Sequence, residues 1–168
     1  VSWLGEVNLH FGDSATGPLY EMLSGRVSLD DLTRELILVS ILSGTLNPTT
    51  EGELMLSMFA LDTVAKLHEL ATTAQKVDFL SLPKGEGKGE GFPFIAHING
   101  DHFVLVKSIA NGNVILFDKS IGENGSEITM SEEEFKKAYS GVLLSTTDFP
   151  LSTVLSESES RQITGSGF

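Results

Sequence analysis

The apolar patterns along the chain predict an α+β fold in which an N-terminal helical half packs on a C-terminal antiparallel sheet. Two observations predict it. Helical spacing of apolar residues dominates the first half and returns only once later, after Ser131. Short continuous apolar runs joined by Asn-Gly pairs fill the region from Phe94 to Asp118, as in strands linked by tight turns.

The first helix is expected over Gly17-Pro18-Leu19-Tyr20-Glu21-Met22-Leu23. Pro18 sits near the first helical position, where its missing N–H would have no partner anyway. A second helix should begin near Ser28, with Asp31 three residues on as in a capping box. Leu29, Leu32, Leu36, Val39 and Leu42 fall on one of its faces, and Gly44 stops it. Asn47-Pro48 reads as a turn, and a third helical stretch follows over about 51–61. Residues 62–82 fit two patterns. Either the helix continues through Val64, Leu67 and Leu70, or a short strand is followed by a helix over Leu67 to Ala74.

Lys84 to Gly91 alternates glycine with charge and reads as a solvated loop or lid. No Gly-Lys-Ser/Thr completes a phosphate loop, and Phe92-Pro93 cannot open the required helix. Strands follow at Phe94–Ile98, His102–Ile109 and Val114–Asp118, turning at Asn99-Gly100 and Asn111-Gly112. Ser131-Glu132-Glu133-Glu134 caps a helix containing Phe135, Ala138 and Tyr139. Gly141 ends it, and Val142-Leu143-Leu144 is the last strand. Residues 1–150 are therefore expected to form one domain. From Leu151 the composition turns to Ser, Glu, Thr and Gly, and 151–168 reads as a linker or exit arm towards a neighbouring domain.

Composition narrows the function. The net charge of −12 repels phosphate backbones, so nucleic acid is not an expected partner; simple solubility, ahead of a basic peptide, suits the charge better. No apolar run approaches the roughly 18 residues of a membrane span. The opening Val1 to Leu9 has neither the basic start nor the apolar middle of a secretory signal, and the absence of an initiator Met suggests a processed or excised segment. With no cysteine, the chain has no disulfide, thiolate ligand or thiol nucleophile. His10, His97 and His102 match no zinc spacing, so neither metal nor cofactor is expected. Asn124-Gly125-Ser126 is a glycosylation sequon by pattern alone.

The chemistry-bearing pair is His102, which opens one apolar run, and Asp118, which closes the next. An imidazole and a carboxylate on adjacent strands make two-thirds of a nucleophilic triad. A regular hairpin turning tightly at Asn111-Gly112 would put positions 102 and 118 on opposite faces. A triad therefore requires a bulge or wider loop, expected within 107–113.

These runs, with Phe92-Pro93-Phe94-Ile95-Ala96-His97-Ile98 before them and the Glu132-to-Val142 segment after them, resemble the peptidase C39 domain. That is the papain-like fold that processes double-glycine leader peptides, usually at the N-terminus of bacteriocin-exporting ABC transporters. The resemblance spans residues 10–145 and is strongest over 92–145. It implies that His102 is the general base and Asp118 its orienting carboxylate. Thr16, before Gly17-Pro18-Leu19, stands where the family has its nucleophilic Cys, and His10 where it has the Gln that stabilises the oxyanion. Ser14 is the alternative hydroxyl if the register slips by two. The resemblance also implies a peptide or protein substrate, a neighbouring transporter or other domain, and a cytoplasmic setting.

Three readings stay open at this stage. The domain binds peptides without cleaving them, with strand-like main-chain bonding in the cleft between its halves. It is a hydrolase using Thr16 or Ser14 with His102 and Asp118. Or it is an active cysteine peptidase whose Cys at 14, 15 or 16 has been substituted. A Thr hydroxyl lacks the ionised state that a Cys reaches near neutral pH, so the second demands concerted proton removal and a formed oxyanion hole.

Overall fold

The computed structural model describes residues 16–24, 26–44, 47–48, 54–84, 91–100, 102–118 and 126–167. Helix α1 spans Thr16–Met22 and buries Thr16, Gly17, Pro18 and Leu19. Helix α2 spans Leu29–Ser43. The Ser28 hydroxyl accepts from the Asp31 N–H at 3.1 Å, and Gly44 closes the helix at φ 70. Its buried stripe is Leu32, Thr33, Leu36 and Ser40, while Leu42 faces outward. Thr33 and Ser40 can be buried because each hydroxyl donates to the carbonyl one turn back, of Leu29 and Leu36, at 2.7 Å.

The expected helix over 51–61 is only partly a helix. Strand β1 is Asn47–Pro48, and it pairs with strand β2, Leu54–Ser57. Helix α3 starts at Met58 and runs to Leu67. The switch falls at Ser57, whose extended backbone ends β2 while its hydroxyl accepts from the Ala60 N–H at 3.0 Å. Pairing thus overrides helical spacing over Leu54–Ser57, the common outcome where a short segment has a partner strand. Of the two patterns open for 62–82, the helix continues, but only to Leu67. Glu69 takes φ 64 and the chain reverses into strand β3, Thr73–Lys76.

The sheet half is a meander of β4 (Phe94–Ile98), β5 (His102–Ala110), β6 (Asn113–Asp118) and β7 (Ser126–Ser131), each antiparallel to the next. The last of these was not foreseen in the sequence. Helix α4 (Glu132–Ala138) follows, with Ser131 accepting from the Glu134 N–H at 3.1 Å, and leads directly into β8 (Tyr139–Ser145). Strand β8 lies between β4 and β3. The sheet is covered on both sides, which explains why its strands are continuous apolar runs and do not alternate. Ile95, Phe103, Leu105 and Phe117 meet the helical half through Leu19, Leu23, Leu36 and Leu61. Phe94, Val104, Val106 and Leu116 pack with Phe135 and Phe149 on the other face.

The segment read as a linker folds back onto this frame. Strand β9 (Thr153–Val154) pairs with β3, helix α5 spans Glu157–Gln162, and β10 (Thr164–Gly167) enters the sheet. A reciprocal capping box at Ser156 and Glu159 starts α5. Arg161 lies over the Phe59 ring at 4.5 Å, and Lys76 pairs with Glu159 at 2.6 Å. The connection before β9 is fixed by buried Gln75. Its amide donates to the Thr147 carbonyl at 2.7 Å and accepts from the Phe149 N–H at 3.1 Å.

Gln75→Leu would keep the bulk and strand these two backbone groups. At about 1–3 kcal/mol for each of the two groups left unpaired, the expected loss is roughly 2–6 kcal/mol, measured by urea unfolding. A loss below about 0.5 kcal/mol would show that water takes over both bonds.

Candidate functional site

His102 opens β5 and is half-buried. Its strand start is set by the preceding turn, where Asn99 and Gly100 take φ 53 and 74. That turn is held from below: the Asn99 N–H donates to the Ala138 carbonyl at 2.8 Å, and the Gly100 N–H to the Ser140 hydroxyl at 3.3 Å. Across β4, His102 lies opposite Ile98.

The hairpin to Asp118 contains the register shift that the triad geometry requires. Ala110 pairs with Asn113 around a tight turn in which Asn111 and Gly112 take φ 55 and 80, the left-handed values of a two-residue hairpin. Ile109 pairs with Val114 and Ser108 with Ile115, but Val106 then pairs with Leu116, leaving Lys107 as a bulge. Beyond it Leu105 faces Phe117. Continuing that register sets position 118 beside Val104, so positions 102 and 118 share one face of the ladder. The backbone of Asp118, the last residue of β6, pairs with Ser126 of β7.

Thr16 is the first residue of α1 and fully buried. Helix α1 packs on β4, β5, β6 and β10, so the elements carrying Thr16 and His102 touch. Leu19 of α1 and Leu23 just after it belong to the core on the Phe103 and Leu105 face, whereas the register groups 102 and 118 with Val104. The ladder thus joins positions 102 and 118 to each other and does not of itself bring the α1 hydroxyl to them. His10 and Ser14 lie outside the described residues, as does the glycine-rich loop over 85–90. Among the described residues, no group of three or more His, Asp or Glu side chains is placed to hold a metal ion.

Two features of the site were missed in the sequence, and they meet. Strand β10 enters between the two halves: Thr164 and Gly165 pair antiparallel with Ser57 and Leu56 of β2, and Ser166 and Gly167 pair parallel with His102 and Phe103 of β5. His97, read as an ordinary strand residue, is buried in β4 opposite Phe103, with ring centroids 5.1 Å apart. Its Nε2 lies 2.8 Å from the Thr164 carbonyl and donates to it. One residue earlier, the Ile163 carbonyl accepts from the Met58 N–H at 2.8 Å. The readable signal was Ser156-x-x-Glu159, a capping box ahead of a segment taken as a linker.

A family model described as the peptidase C39 family matches residues 42–150, more than half of the sequence. The chain belongs to the peptidase C39 family. A comparison with curated proteins returns no match. Among solved structures, this C39 domain is similar to a double-glycine motif protease from an AMS/PCAT transporter in complex with its leader peptide. The identity is 18%, the TM-score 0.60, and the match covers 79% of this chain and 82% of that one. It is also similar to the peptidase domain of Streptococcus ComA, a bifunctional ABC transporter of a quorum-sensing pathway. There the identity is 17%, the TM-score 0.49, and the coverage 80% and 88%. The C39 fold is thus established for this chain, whose family thiol is absent. Among the described residues, no helix is long and apolar enough to cross a membrane.

The α5 anchor behind β10 carries a pH dependence. Hydrogen bonding to the Lys76 ammonium, then to the Ser156 backbone and hydroxyl, lowers the Glu159 carboxyl from 4.5 to about 2. A lowered folded value contributes stability above the unfolded value and loses it as pH falls through the folded one. Amide protection over α5 and β10 is therefore expected to fall between about pH 4.5 and 2, ahead of β4 and β8. Glu159→Gln should weaken that protection at neutral pH and flatten its acid dependence. An unchanged acid profile in Glu159→Gln would assign the dependence to another group.

Proposed function

We propose that this C39 domain binds an extended peptide as an added strand and does not cleave it by thiol chemistry. The observation carrying the reading is the slot between β2 and β5, where Thr164 and Gly165 pair with β2 and the next two residues, Ser166 and Gly167, with β5. Such a slot suits a segment of small residues, because glycine lets two flanking backbones approach closely. The leader peptide bound by the AMS/PCAT protease supports a peptide as the ligand class. That protease comes from a transporter, which supports a transporter as the neighbouring assembly.

The absence of cysteine removes the family's nucleophile from this chain. Thr16 is a poor replacement, being fully buried and unable to ionise near neutral pH. The reading that His102 and Asp118 still act as base and orienting carboxylate draws on their shared face. In a binding domain, the same two groups would instead offer polar contacts beside the bound strand.

A labelled synthetic double-glycine leader peptide, titrated by fluorescence anisotropy, is expected to bind saturably. Mass spectrometry after prolonged incubation should find it intact. Cleavage at the Gly-Gly site that is lost in both His102→Ala and Thr16→Val would overturn the binding-only reading in favour of a threonine-dependent hydrolase.

A further inference from the structure

The geometry points to the C-terminal strand Thr164–Gly167 as an intramolecular occupant of the peptide slot, one that an incoming glycine-rich peptide must displace. The inference rests on the peptide-binding reading above and adds to it a competitor built into the chain.

The strand's position supports this. Its ladder joins the helical half, through β2, to the sheet half, through the His102 end of β5. It packs against α1, the helix that begins at Thr16. Its sequence, Thr164-Gly165-Ser166-Gly167, is small throughout, as expected of any segment accepted between two backbones.

The way it is held also suits release. Two bonds hold the strand's start beside the ladder itself: the His97 ring donates to the Thr164 carbonyl, and the Met58 backbone N–H to the Ile163 carbonyl at its entry. The remaining pairing is main chain to main chain, which another extended peptide can reproduce bond for bond. The anchor lies upstream, in α5, through Arg161 on Phe59 and Lys76 with Glu159. With that anchor in place, the strand can leave and return as a tethered competitor at high effective concentration. If the slot is open for a fraction of molecules, the apparent affinity for peptide falls by that fraction.

The test uses the full chain, a synthetic double-glycine leader peptide and the double variant Gly165→Pro/Gly167→Pro, which removes two strand N–H groups. The variant is expected to bind the peptide about tenfold more tightly, corresponding to a slot open in about one molecule in ten of the unmodified protein. Amide exchange in the unmodified chain gives a second, variant-free measure. Saturating peptide should strip protection from Thr164–Gly167 and leave β4 and β8 protected. Equal affinity in both forms, with the tail amides protected throughout, would overturn the inference and leave the binding reading intact. Binding by the unmodified chain alone would make the tail part of the receptor, which also overturns it. Binding by neither form would overturn the peptide reading itself, and the competitor with it.

Discussion

The structure depends on how the two edges and two faces of β5 are satisfied. This strand is buried on both sides, so each of its backbone N–H and carbonyl groups needs a partner within the protein. One edge is paired with β4 from Phe94 to Ile98. The other is paired with β6 only as far as Leu105, where the ladder to Phe117 ends. The first two residues, His102 and Phe103, extend beyond that ladder and are completed by Ser166 and Gly167. A polar strand end at the boundary of two apolar cores would otherwise be expensive, at about 1–3 kcal/mol for each buried group left unpaired. The place where β6 stops is therefore the place where some other strand must begin.

That requirement explains why the helical and sheet halves cooperate. Strand β2 presents Leu56 and Ser57 across the same gap, so the inserted strand is bonded to both halves. Ser57 performs two tasks there, pairing with Thr164 and capping α3. His97 serves a comparable purpose from within the sheet, stacking on Phe103 while it holds the Thr164 carbonyl. The gap is built from backbone groups with a few fixed side chains around it. It specifies an extended, small-residue occupant by shape more than by charge.

Much of this was legible in the sequence wherever local chemistry and tertiary context agree. The capped helix at Ser28, the Asn111-Gly112 hairpin and the capping box at Ser131 each announce themselves through residues with one dominant physical use. The bulge at Lys107 could be inferred from parity alone, because a tight turn and a shared face for positions 102 and 118 are incompatible without it. Leu54–Ser57 and Thr164–Gly167 were not legible for one common reason. Each is a weak or helix-like segment made a strand by its partners: β2 pairs with β1 and β10, and β10 with β2 and β5. Pairing between segments so distant in sequence leaves no periodicity in either. The same limit hid the use of His97, whose partner is a backbone carbonyl in the tail.

The loss of cysteine and the capture of the tail bear on one another. In a thiol peptidase, a segment lying across the His-bearing strand would compete with substrate at every turnover, a direct reduction in rate. If the domain binds peptide without cleaving it, as proposed for this chain with no cysteine and a buried Thr16, turnover imposes no such penalty. On that reading, occupancy of the slot affects only how tightly and how selectively a peptide is held. A tethered small-residue strand rejects ligands that cannot match its main-chain bonding, since a bulkier segment loses pairing against an occupant that is always at hand. In the proposed binding reading, the His102 end of β5 serves as an edge whose pairing, held here by Ser166 and Gly167, is exchanged between strands. The register that puts positions 102 and 118 on one face of the ladder runs beside that edge.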